Sequence, residues 1–153
     1  MRPDGLRLSR RHRTWVYATF GILFLSGAVW WGLHRWFPVA GEFGALPHPW
    51  EPGLLKIHGA AAMVALIIFG TLVPLHMKRG WGARLNRPNG VMLVAFFLLL
   101  TASGYVLYYA GGEQSRSVAS LVHTVLGLAF PLVLLWHIAR GRRARRHQMD
   151  LKR

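Results

Sequence analysis

Four apolar stretches govern what this chain can become: residues 14–37, 53–77, 90–110 and 118–139. Each is about 20 residues or more, enough for a helix to cross roughly 30 Å of hydrocarbon. The connections between them are short, as suits neighbouring antiparallel helices. The expected fold is therefore all-α: an integral membrane four-helix bundle, up-down-up-down, forming a single membrane domain over residues 1–153 with no room for a separate soluble one. Composition agrees. Hydrophobic residues make up 53% of the chain and charged ones 16%, against about 25% charged in an ordinary soluble domain.

The net charge of +14 would ordinarily suggest nucleic acid as a partner, but the placement of the cations argues otherwise. All the lysines and arginines except Arg35, Lys56 and Arg116 fall in three segments: the arm 1–13, the second connection (Lys78, Arg79, Arg84, Arg87) and the tail 140–153. In an up-down-up-down bundle these three share one face, and the positive-inside rule puts that face, with both termini, in the cytoplasm. On the other face Glu42, Glu51 and Glu113 balance the three remaining cations. Basic flanks beside a membrane bind anionic headgroups, so membrane lipid is the expected partner and nucleic acid is not. The expected location is the bacterial cytoplasmic (inner) membrane, with the chain multi-pass. Tryptophans and tyrosines near the ends of the stretches form the usual interfacial belt. The first stretch is too long for a signal-peptide core, and Trp30-Trp31 follows where a small-residue cleavage site would be needed, so it is read as a retained span.

The chain has no cysteine. This excludes disulfides, iron–sulfur clusters, thiolate-ligated haem and c-type haem attachment, and leaves histidine, carboxylate or methionine as metal ligands. Five acidic residues offer little for paired-carboxylate catalysis.

Four of the eight histidines lie within the second and fourth stretches, where an ionisable side chain is rare and usually faces the bundle interior. At 100° per residue, the 18-residue interval from His58 to His76 is five whole turns, and the 14-residue interval from His123 to His137 is close to four. Each pair therefore shares a helix face. In the expected topology His58 and His123 lie toward the outer surface, while His76 and His137 precede the inner basic runs. The two depths are roughly 21 to 27 Å apart along the helices, so the four imidazoles cannot converge on one tetrahedral zinc. Two bis-histidine haems, each wedged between helices, match this pattern: His58 with His123, and His76 with His137. The unequal intervals require tilt or kinking at Pro74 or Pro131. His12 is the rival inner ligand and His34 the rival outer one. For any single membrane-edge histidine, snorkelling is the ordinary account; four in phase at paired depths call for a common one. Gly27 and Gly104, in the first and third stretches, would give a macrocycle room between helices. Ser26-Gly27 before His58 and Ser103-Gly104 before His123 form a faint internal repeat, echoed by His76-Met77-Lys78-Arg79-Gly80 and His137-Ile138-Ala139-Arg140-Gly141.

On His123-Thr-Val-Leu-Gly-Leu running to His137-Ile-Ala-Arg-Gly-Arg-Arg, on Lys56-Ile57-His58-Gly59, and on Ser103-Gly104-Tyr105-Val106-Leu107-Tyr108-Tyr109, the chain resembles the four-helix diheme membrane cytochromes b. That group includes the anchor subunits of hydrogenases and formate dehydrogenases, small superoxide-oxidising cytochromes and flavinylation-associated cytochromes. The resemblance runs from about Trp15 to Arg143. The interval from His58 to His76 is longer than the usual pattern, and some relatives take the inner ligand from the first span, where His12 stands.

The resemblance implies two haems b relaying electrons between the membrane quinone pool and a redox partner protein, as an electron carrier or redox subunit rather than a stand-alone enzyme. Rival readings are superoxide or quinol oxidation at a haem edge, and a haem-free membrane scaffold.

Overall fold

The computed structural model describes residues 8–42, 44–82 and 87–150, and the side chains of these except residues 79 and 145–150. Parts of the cationic segments named above, namely residues 1–7, Arg84, Lys152 and Arg153, lie outside the described residues. The chain is mostly helical: α1 (Arg10–Trp36), α2 (Glu51–Leu72), a π-helical turn (Val73–Met77), α3 (Lys78–Gly82), α4 (Arg87–Tyr109) and α5 (Glu113–Asp150). A β-hairpin, β1 (Val39–Gly41) with β2 (Gly44–Leu46), occupies the first connection. Four helical segments, beginning at Arg10, Glu51, Arg87 and Glu113, are long and apolar enough to cross a membrane.

Local chemistry sets the helix boundaries. Ser9 caps α1 by accepting the His12 amide at 3.1 Å, and α1 stops one residue short of the Phe37-Pro38 pair, where proline disfavours helical backbone in the residue before it. Both α2 and α4 carry a proline in the first turn, where its missing N–H is of no consequence. Pro131 lies inside α5 without ending it. That helix continues to Asp150 through an arginine-rich segment, well past the apolar stretch. In the β-hairpin Gly44 has φ +126°, a backbone that L side chains rarely adopt. A β-carbon on Gly41 would meet the Gly44 carbonyl oxygen at 2.8 Å.

Contacts gather the chain into two units, Leu8–Leu75 and a second that takes in His76–Arg153. In the first, α1 packs antiparallel on α2: His12, Ser26 and His34 face Thr71, His58 and Glu51 in that order. Small or short side chains line the helices' buried positions, among them Val16, Thr19 and Ser26 of α1 and Ala61 and Ala65 of α2. In the second, α4 packs antiparallel on α5: Gly90, Leu100 and Ser103 face His137, Gly127 and His123. Large apolar side chains are exposed along the helices, Ile67 at 68% and Leu132 at 71% for example. Such a surface would aggregate in water and is ordinary in lipid.

The π-helical turn bears on the histidine spacing. It contains Pro74 and holds His76. A π turn carries about one residue more than an α turn and so withdraws roughly 100° of helical phase. The phase arithmetic that aligns residues 58 and 76 on a straight helix therefore does not hold through this segment.

Candidate functional site

His58 and His123 occupy matching environments, one in each unit. In the first, Ser26 donates its hydroxyl to the Leu23 carbonyl at 3.1 Å, and His58 Nδ1 lies 3.1 Å from Ser26 Oγ and 2.9 Å from the same Leu23 oxygen. In the second, Ser103 donates to the Leu100 carbonyl at 3.1 Å, and His123 Nδ1 lies 3.0 Å from Ser103 Oγ. A carbonyl oxygen can only accept, so His58 Nδ1 is the donor. The His58 ring is thereby fixed as the Nδ1–H tautomer with the lone pair on Nε2, the form a metal-ligating histidine takes when its other nitrogen is held by a polar neighbour. His123 Nδ1 is held in the matching place by the Ser103 hydroxyl.

The adjacent glycines let this happen. A β-carbon on Gly27 would lie 2.9 Å from His58 Cε1, and one on Gly104 would lie 3.3 Å from His123 Cε1. The space beside these glycines is thus taken by imidazole. The Leu-x-x-Ser-Gly pattern of α1 and α4 is a repeat with a specific job: carbonyl, hydroxyl and missing side chain together seat the facing histidine. The Ser-Gly dipeptides are visible in the sequence; the part played by Leu23, Ser26, Leu100 and Ser103 emerges only from the packing.

His76 and His137 both belong to the second unit, and their rings stand edge to face, with centroids 6.1 Å apart and planes at 76°. At that separation two imidazoles can share one metal ion, each through a ring nitrogen about 2 Å from it. His137 Nδ1 is buried with no hydrogen-bond partner among the described residues. Close by, a β-carbon on Gly90 would lie 4.0 Å from His137 Cε1. Gly90 follows Asn89, whose side chain is buried with neither amide atom hydrogen-bonded among the described residues. No three or more histidine or acidic side chains converge among the described residues; what the chain offers is pairs.

The rival histidines have other engagements. His12 Nε2 lies 3.4 Å from Thr71 Oγ1. His34 stacks on Trp30, with centroids 4.9 Å apart, and its Nδ1 meets Glu51 Oε2 at 2.9 Å. The Glu51 carboxylate is buried and also accepts the His48 amide at 2.9 Å, which ties the first connection to α2. Glu51 is a structural centre that charge counting alone did not single out.

No protein-family profile, characterised protein or solved structure matches the chain.

Proposed function

We propose that this chain is a membrane electron carrier of the diheme cytochrome b kind, its four long helices crossing the bacterial cytoplasmic membrane as an up-down-up-down bundle with both termini inside. Four histidines would hold two haems b, His76 with His137 nearer the cytoplasm and His58 with His123 nearer the outer face. The observation that carries this reading is the pairing of His76 and His137, with ring centroids 6.1 Å apart, a separation at which two imidazoles could hold one iron between them. The residues fit the group in two further ways. Polar neighbours hold Nδ1 of both His58 and His123, which leaves Nε2 of each as the nitrogen that would ligate. Two buried polar groups of the α4–α5 hairpin, His137 Nδ1 and the Asn89 amide in the turn that carries Gly90, lack partners among the described residues.

When bound, haem would supply reversible one-electron chemistry at its iron, with the four histidines as its protein ligands. The chain's own part is structural and electrostatic. Ser26 and Ser103 fix ring orientation and ligand basicity, the apolar helices keep the centres from water, and the basic cytoplasmic rim favours a more reduced inner centre. The arginines of that rim also hold anionic lipid. Electrons would pass between the quinone pool and a redox partner protein docked on one face.

A pyridine haemochrome assay with an absorption spectrum on the purified chain tests the reading. Two haems b per chain are expected. His76→Ala and His137→Ala should each remove the same haem, and His58→Ala and His123→Ala the other, while His12→Ala and His34→Ala retain both. A colourless protein from haem-replete cells would overturn the proposal.

A further inference from the structure

The carboxamide of Asn89 is the most anomalous polar group among the described side chains. It sits in the first turn of α4, only 5% exposed, and both Nδ2 and Oδ1 are buried without a hydrogen-bond partner among the described residues. Native proteins leave few such groups, because an amide stripped of water and given nothing in return weakens the fold. Leucine has nearly the same size and would fill the position without that penalty. The neighbouring cation does not resolve it, since Arg87 directs Nε and Nη2 to the Trp81 carbonyl at 3.1 and 2.7 Å. A second buried polar atom lies in the same α4–α5 hairpin. His137 Nδ1 is also without a partner among the described residues, and its ring approaches the backbone of Gly90, the next residue after Asn89. Two unsatisfied polar groups at the same end of the α4–α5 hairpin point to a ligand with polar atoms of its own.

We infer that Asn89 is a hydrogen-bond donor to a carboxylate of the iron porphyrin held by His76 and His137. The inference rests on the haem reading above and deepens it. Haem b is apolar except for its iron and two propionate carboxylates, and those carboxylates need donors wherever the macrocycle is drawn into a helical bundle. A primary amide presents two N–H groups, and a hydrogen bond to an ionised acceptor is about twice as strong as one between neutral groups. Asn89 thus gives up stability in the empty protein and recovers it when the carboxylate arrives. That explains why a buried amide stands where an aliphatic side chain would pack.

The test uses the full chain carrying His58→Ala, which leaves one site, reconstituted with iron protoporphyrin IX or with its dimethyl ester. The ester keeps the ring and iron but has no ionised carboxylate. With the natural haem, Asn89→Leu should weaken binding by about tenfold or more. With the ester the loss should shrink to a few-fold, and the chain with Asn89 intact should itself prefer the natural haem over the ester. In the haem-free state Asn89→Leu should unfold at the same or a higher temperature. Equal affinity of the Leu variant and its parent for natural haem, an equal loss with both porphyrins, or a lower unfolding temperature of the haem-free variant would each overturn the assignment. Failure of the parent to bind either porphyrin would instead count against the haem reading itself.

Discussion

A β-carbon on Gly27 would stand 2.9 Å from Cε1 of His58, closer than real side chains approach, so the ring occupies the volume that any larger residue would need. Gly27→Ala must displace either the imidazole or helix α1. Overpacking of this kind costs about 1–3 kcal/mol. The corresponding approach at Gly104 is looser, 3.3 Å from His123 Cε1, so Gly104→Ala should be milder. The expected outcome is a larger fall in unfolding temperature, and a larger change in the electron paramagnetic resonance of the haem proposed at His58, for Gly27→Ala. Equal and negligible effects would mean that the two rings are not held where the glycines place them.

The serines make a second prediction. Removing a polar neighbour that orients a ligating histidine typically weakens metal binding about 10- to 100-fold. Ser103→Ala should do this for the haem proposed at His123. Ser26→Ala should have a smaller effect, near the bottom of that range, because the Leu23 carbonyl at 2.9 Å still holds His58 Nδ1 in the same tautomer. Competition for haem by an apo-globin would measure both.

Glu51 supports a third. Its buried carboxylate joins His34 of α1, the His48 amide and the start of α2. Glu51→Ala removes two hydrogen bonds at once and strands a backbone N–H, for an expected destabilisation of about 1–3 kcal/mol. The effect should localise to the first connection. Limited proteolysis between residues 38 and 50 should accelerate while haem content stays at two per chain. Loss of a haem in this variant would reinstate His34 as a ligand.

The spans were legible in the sequence because an apolar run of some twenty residues has few alternatives. Their bounds differ from the helices mainly where polar residues continue a helix: α5 extends from Glu113 to Asp150 rather than stopping near residue 139, since arginine and alanine propagate helix beyond an apolar core as well as within it. The β-hairpin was not legible. Three-residue strands carry no usable alternation, and their pairing depends on Gly41 and Gly44. At the site, the histidines and the Ser-Gly repeat could be read directly, because histidine within a long apolar stretch is rare and the dipeptide recurs. The hydroxyl-to-imidazole geometry could not, since it joins residues 32 and 20 positions apart. Asn89 escaped notice because its burial without a partner is a property of packing, not of composition.

The interval from His58 to His76 is four residues longer than that from His123 to His137, and the π-helical turn Val73–Met77 intervenes. In an ordinary α-helix, deleting one residue rotates everything beyond it by about 100° and misplaces any ligand there. A π turn is in effect a one-residue insertion, so deleting Val73 should convert it to α-helix while leaving the direction of His76 unchanged. Pro74 contributes to the turn by removing a backbone donor. Pro74→Ala lets the segment relax to α-helix at full length, which turns His76 away from His137. The deletion variant should therefore keep both haems, and Pro74→Ala should lose the inner one in part or in full, as read by the haemochrome ratio. The opposite order, haem lost on deletion and retained in Pro74→Ala, would show that the π turn does not set the position of His76.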